Sequence, residues 1–129
     1  MAEFKSKEEL YTALDAMVAN MQENEKFISR IARANASLGF TVTDLDNAEY
    51  SLYFENGAFR GASGGAKETT VGLTLKAATL DKMLSGKMSG ESAYMSGALR
   101  LCGSEWTAQS IAGYLWYIKA AYKEAVGEA

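Results

Sequence analysis

Histidine and proline are absent from this 129-residue chain, and cysteine occurs once, as Cys102. Without histidine there can be no Ser-His-Asp triad and no His-ligated zinc, and the commonest general base is missing. One cysteine cannot close an internal disulfide, which fits a reducing compartment. Without proline, turns fall to Gly, Asn, Asp and Ser. Basic excess is missing as well: the net charge is -3, so bulk nucleic-acid binding lacks its main electrostatic driver. No run of 18 apolar residues occurs, which excludes a transmembrane helix on sequence grounds. The start, Met1 to Ser6, is polar and carries no apolar signal core, so a cytoplasmic protein is expected.

What remains is ordinary globular material, with 48% hydrophobic and 22% charged residues. A chain of this length is one domain, here 1–129, and buries roughly two-thirds of its surface.

Periodicity divides the chain. Leu10, Leu14, Met17, Val18 and Met21 recur at helical spacing, and so do Ile28, Ile31 and Ala32. The polar step Gln22 to Glu25 between them predicts two helices, or one broken helix, near 6–22 and 25–36. Ser6 with Glu9 reads as a capping box, and Gly39 as a stop. The period then becomes two. Phe40 and Val42 form one alternating run, and Tyr50, Leu52 and Phe54 a second; the Asp44–Asn47 turn lies between them. Asn56-Gly57 is a strong hairpin signal leading into a third strand over 58–62. Val71, Leu73 and Leu75 mark a fourth strand. Leu80, Met83 and Leu84 mark a short helix that Gly86 ends. A second short helix near 91–96 stops at Gly97, Leu99 and Leu101 give a fifth strand, and Ser104 caps a last helix near 105–125. The order is α+β: a five-stranded, mostly antiparallel sheet with helices on one face.

Several motifs could carry chemistry. Gly61 to Thr69, GASGGAKET, approaches a phosphate-binding loop, but Ala66 and Glu68 stand where Gly and Ser or Thr are needed, and a strand follows instead of a helix. Asp44 to Glu49 has the flavour of a calcium loop without its Gly, and reads better as a turn. Cys102 has only Arg100 as a neighbouring cation and reads as a small buried hydrophobe. Asp44 or Glu49 near Tyr94 would suit proton chemistry in an apolar pocket. Lys26, Arg30 and Arg33 form a basic stripe that could touch anionic lipid, against acidic neighbours Glu23 and Glu25. The last helix carries Trp106, Ile111, Tyr114, Leu115, Trp116, Tyr117, Ile118 and Tyr122 around most of its circumference. Such a helix is buried or touches something beyond its own sheet: a lipid, a membrane surface or a second subunit.

Leu84 to Gly103, LSGKMSGESAYMSGALRLCG, resembles the sterol carrier protein type 2 family. The matching pieces are the Gly86-Lys87 step, the aromatic Tyr94, and Gly97-Ala98-Leu99-Arg100-Leu101-Cys102-Gly103 leading into a final helix. The Asp44 turn and the Tyr50–Phe54 and Val71–Leu75 strands fall in the family's order, so the likeness spans roughly 38–116. Ser104-Glu105-Trp106 departs from the family in placing a bulky ring early in the last helix, which bears on ligand size. The Gly127-Glu128-Ala129 end departs in lacking a peroxisomal tripeptide, consistent with a cytoplasmic, stand-alone member.

The resemblance implies a hydrophobic tunnel between sheet and helices that binds, and in transfer proteins carries between membranes, a fatty acyl chain, sterol or similar lipid. It implies no catalysis, cofactor or metal. The expected wall is Leu80, Met83, Leu84, Tyr94, Met95, Trp106, Ile111 and Leu115. The expected floor is Phe40, Val42, Leu52, Phe54, Leu73, Leu75, Leu99 and Leu101. Met17, Met21, Met83, Met88 and Met95 would act as adaptable fillers. Two alternatives stay open: a small enzyme built on Asp44 or Glu49, and a module that homodimerises through its aromatic last helix.

Overall fold

The computed structural model describes residues 4–127. The start read for an export signal, Met1–Glu3, and the final Glu128 and Ala129 lie outside the described residues.

Helix α1 spans Lys7–Gln22 and α2 spans Glu25–Arg30. Ser6 caps α1 by accepting from Glu9 N at 3.2 Å, while the Glu9 carboxylate accepts from Lys5 N at 2.7 Å, one residue before the backbone N–H of a regular capping box. Asn24 caps α2 by accepting from Phe27 N at 3.1 Å. Strands follow at β1 (Asn35–Val42), β2 (Ala48–Glu55) and β3 (Ala58–Ser63). A short 3₁₀ turn at Ala66–Glu68 leads into β4 (Val71–Leu75). Then come α3 (Ala77–Leu84), α4 (Gly90–Met95), β5 (Leu99–Gly103), α5 (Glu105–Ala112) and α6 (Leu115–Ala125).

The sheet order is β3-β2-β1-β4-β5. β1 and β4 run parallel, and the other neighbours run antiparallel. Register places all apolar alternates on one face: Leu38 opposes Leu52 and Val71, Phe40 opposes Tyr50 and Leu73, and Val42 opposes Ala48 and Leu75. Leu73 opposes Leu101, and Leu75 opposes Leu99. That face packs under the helices: α1 lies on β3, α5 on β1 and β4, and α4 on β5, while α6 lies on α1 and α3.

Three boundaries differ from the sequence reading. The second helix ends at Arg30, six residues early, and the chain is already a strand at Asn35. The turn between them accepts from the β2–β3 hairpin, with Asn56 N and Gly57 N donating to Ala34 O and Ile31 O at 2.8 Å each. Gly39 is no helix stop. It lies mid-strand because the β3–β4 crossover runs over the other face of the sheet, and a Cβ there would stand 2.6 Å from Ala66 Cα. The last helix is two helices. At Gly113 and Tyr114 the backbone tightens to i→i−3 bonds, Gly113 N to Ser110 O at 3.2 Å and Tyr114 N to Ile111 O at 2.9 Å.

Candidate apolar ligand site

The two halves of the apolar face are covered differently. Over β2 and β3, Phe27 from α2 is fully buried and meets Phe59 at 5.1 Å, Tyr117 at 5.4 Å, Tyr114 at 5.9 Å and Phe54 at 6.3 Å between ring centroids. Phe54 stacks on Tyr114 at 5.4 Å and meets Phe59 at 5.0 Å. Such pairs contribute about 0.5–1.5 kcal/mol each beyond area burial. Tyr50 closes this half: its hydroxyl donates to Asp15 on α1 at 2.6 Å. Burial, then the bond to Asp15 and its charge, push the Tyr50 phenol above its ordinary range.

β4 is covered by α5 and β5 by α4. Of the apolar residues on α3, α5 and the start of α6, Leu80, Leu84 and Ile111 are buried, while Met83, Ala108 and Leu115 pack on the core only partly buried. Leu80 and Leu84 share one side of α3 by their i, i+4 spacing. All eight expected floor residues lie on the helix-facing side.

The expected wall is brought together only in part. Leu80, Met83, Leu84, Ile111 and Leu115 lie in or against the core, but Tyr94 is 52% exposed and Met95 and Trp106 are each 79% exposed. Helix phase explains this. Trp106 precedes the inward Ile111 by five residues, about 140° around an α-helix. On α4 the one buried residue is Ala93, which turns its two successors outward. The methionines also separate. Met17 and Met21 are core residues of α1, and Met95 faces water.

The other motifs resolve into structure. Gly64 and Gly65 take positive φ of 87° and 73°, and GASGGAKET divides between the end of β3 and the back-face crossover, with a single 3₁₀ turn in place of a phosphate-facing helix. In the turn after β1, Asp46 and Asn47 take the left-handed conformation that reverses the chain. Asp44 is exposed and accepts from Ala77 N, the first residue of α3, at 2.8 Å; Glu49 accepts from Ala66 N at 3.0 Å. Both carboxylates hold backbone, and neither stands in an apolar pocket beside Tyr94. Cys102 is exposed, a correction to the buried reading: it opposes Gly72 on the back face because Leu99 and Leu101 take the inward positions of β5. Lys26 and Arg30 line an open cleft of about 630 Å³ between α2 and α6, with Glu25, Ser29 and Tyr117.

One buried polar group gave no sign in the sequence. Asp81 on α3 is fully buried, its Oδ1 accepts from Tyr122 Oη on α6 at 2.7 Å, and its Oδ2 has no partner among the described residues. A lone Asp in an otherwise amphipathic helix reads as an outward-facing residue, and its partner stands 41 positions away.

A model of the SCP-2 sterol transfer family matches residues 15–115. The chain belongs to that family. Solved structures agree on the fold. A sterol carrier protein 2 from Yarrowia lipolytica, in its apo form, is 16% identical with a TM-score of 0.65, covering 98% of each chain. A conserved hypothetical protein from Thermus thermophilus is 18% identical with a TM-score of 0.66, covering 88% of this chain and 86% of that one. An inverting sec-alkylsulfatase from a Pseudomonas species is 21% identical with a TM-score of 0.59, over 67% of this chain. This chain spans only 14% of the sulfatase's length. No curated protein matches the chain. Family membership supports lipid binding in general. Among the described residues no helix is long and apolar enough to cross a membrane.

Proposed function

We propose that this SCP-2 domain binds one long apolar ligand, a fatty acyl chain or a sterol-sized lipid, between the β4–β5 half of the sheet and α3, α4 and α5. We propose further that it carries the ligand between membranes. The contrast in packing supports this reading. One half of the face is locked by interleaved rings, whereas the other is roofed by short helices and by flexible or small side chains. A site for an apolar guest needs shape and buried area, with few polar groups. Each buried methylene contributes about 0.8 kcal/mol. Ten would give about 8 kcal/mol, from which ordering and association costs are subtracted.

On this reading the tunnel wall is Met83, Leu84, Leu101, Ala108, Ile111 and Leu115, and Tyr94, Met95 and Trp106 lie outside it. A lone exposed thiol suits a reducing, cytoplasmic setting. Native mass spectrometry of gently purified protein, with organic extraction, tests the proposal. Bound lipid at one per chain is expected. A clean apo mass with no uptake of added fatty acids or sterols would overturn it. In a folded Met83→Trp variant, lipid affinity falls; unchanged affinity would misplace the short-helix wall.

A further inference from the structure

Asp81 is a buried polar residue that its own fold leaves half satisfied. The buried Ser51 donates to Gly64 O at 2.6 Å, and the buried Ser85 to Lys82 O at 3.3 Å. Asp81 Oδ1 accepts from Tyr122 Oη at 2.7 Å, but Oδ2 has no partner among the described residues. No basic side chain pairs with it there either. A buried acceptor without a donor is costly, and the packing around it must offset that cost.

Its place gives the group a use. Ala77, Leu80, Asp81 and Leu84 are the buried residues of α3. They recur at i, i+3, i+4 and i+7, so the carboxyl shares a stripe with Leu84 of the proposed tunnel wall. α3 packs on α6, from which the fully buried Tyr122 reaches Asp81. The couple is a polar point at the α3–α6 seam of an otherwise apolar interior.

We infer that Asp81 determines which polar end the guest carries: the Asp81–Tyr122 couple receives a lipid hydroxyl and turns away a lipid carboxylate. The inference rests on the lipid-binding reading above and narrows it to uncharged lipids that end in a hydrogen-bond donor. A hydroxyl has one O–H to give, which is what Oδ2 lacks. An ionised carboxylate has none, and beside Asp81 it would add like charge away from water. An ether oxygen has no proton to give either. Tyr122 engages Oδ1, so Oδ2 is the oxygen offered to the guest. Apolar walls hold any chain of the right length alike, so discrimination between end groups falls to this one acceptor.

The test compares three guests of equal chain length: hexadecanol, its methyl ether and hexadecanoate. Each is delivered from cyclodextrin and followed by calorimetry near pH ~8, where a free fatty acid is ionised. The alcohol should bind at least about ten-fold tighter than either of the others, the scale of one hydrogen bond to a buried carboxyl. Asp81→Asn puts an NH₂ donor in the place of Oδ2, while the amide oxygen keeps accepting from Tyr122. The ether and hexadecanoate should then gain on the alcohol by about ten-fold. A role confined to holding α3 against α6 would lower all three affinities together and leave their order unchanged.

A second measurement needs no variant at Asp81. With carbon-13 in the aspartate carboxyls, the side-chain signals come from Asp15, Asp44, Asp46 and Asp81, and Asn variants of the first three assign the fourth. Hexadecanol should move the Asp81 signal, and the methyl ether should not. Equal affinity for the alcohol and the ether, an unmoved Asp81 signal, or an unchanged order in a folded Asp81→Asn protein would overturn the inference and leave the lipid-binding reading standing. Uptake of none of the three guests would remove both.

Discussion

The β2–β3 half and the β4–β5 half of the sheet share one apolar face yet are finished in opposite ways. The first is closed by rigid rings: Phe27, Phe54, Phe59 and Tyr114 meet one another at 5.0–6.3 Å. The second is covered by α4 and α5, whose inward residues Ala93, Ala108 and Ile111 are aliphatic. Rings with few rotatable bonds fix one packing. Unbranched and small side chains can repack around a guest. On the proposed reading one half holds the fold and the other adjusts to the guest, and mutation can separate the two tasks.

The sharpest break should come from Phe27→Ala. It removes the ring at the centre of the aromatic cluster and should lower stability by about 3–5 kcal/mol in chemical denaturation. Lipid affinity of the protein that remains folded should stay close to that of the parent. A comparable loss from Leu115→Ala would erase the distinction between the halves. Gly39→Ala should cost about 1–3 kcal/mol, because the new methyl meets the Ala66 backbone and not a side chain that can swing away. Leu115→Ala should cost roughly 1 kcal/mol in stability, as expected for partial burial, and show its larger effect in lipid titration.

Tyr50→Phe should be the mildest, losing about 1 kcal/mol near neutral pH with the bond to Asp15. The advantage of the parent fades in alkali. The folded protein holds the Tyr50 phenol protonated above its ordinary range, while the unfolded chain releases that proton near pH ~10. The contribution is therefore complete below pH ~10 and lost as pH rises beyond it. Thermal melts from neutral to strongly alkaline pH should show the variant gaining on the parent. Parallel curves would mean that Tyr50 carries no linked proton.

Much of the fold was legible because inward positions of β1, β2 and β4 are apolar and alternate with polar or small ones. Val71, Leu73 and Leu75, with Thr74 and Gly72 between them, could be read from their period alone. Where β1 begins could not, because Asn35, Ala36 and Ser37 carry no apolar alternation and Gly39 resembles punctuation. Gly39 is glycine because of Ala66, which is remote in sequence. The parallel pairing of β1 with β4 is equally invisible in any local window.

Which strand residues face the helices was legible, and which helix residues turn inward only half so. Trp106 is apolar and opens the last helix, but its phase relative to Ile111 turns it outward. Ala93 and Ala108, which face inward, are too small to attract notice in a search for large apolar residues. Asp81 and Tyr122 are polar groups whose burial depends entirely on how α3 meets α6.

The back-face crossover also orders events in time. Ser37 and Thr70 exchange hydrogen bonds across 33 positions, with Thr70 N donating to Ser37 Oγ at 2.8 Å and Ser37 N to Thr70 Oγ1 at 2.9 Å. This segment lies over β1 and can settle only once β1 and β2 offer a surface. The β1–β2–β3 meander joins through tight local turns, so its loops close at little entropic cost, whereas β4 must close a long one. In pulse-labelled hydrogen exchange during refolding, β2 and β3 amides should be protected before those of β4 and β5. The last strands to arrive are also those nearest the proposed guest. Ligand entry would then draw on the least firmly folded part of the chain, with no need for a dedicated door.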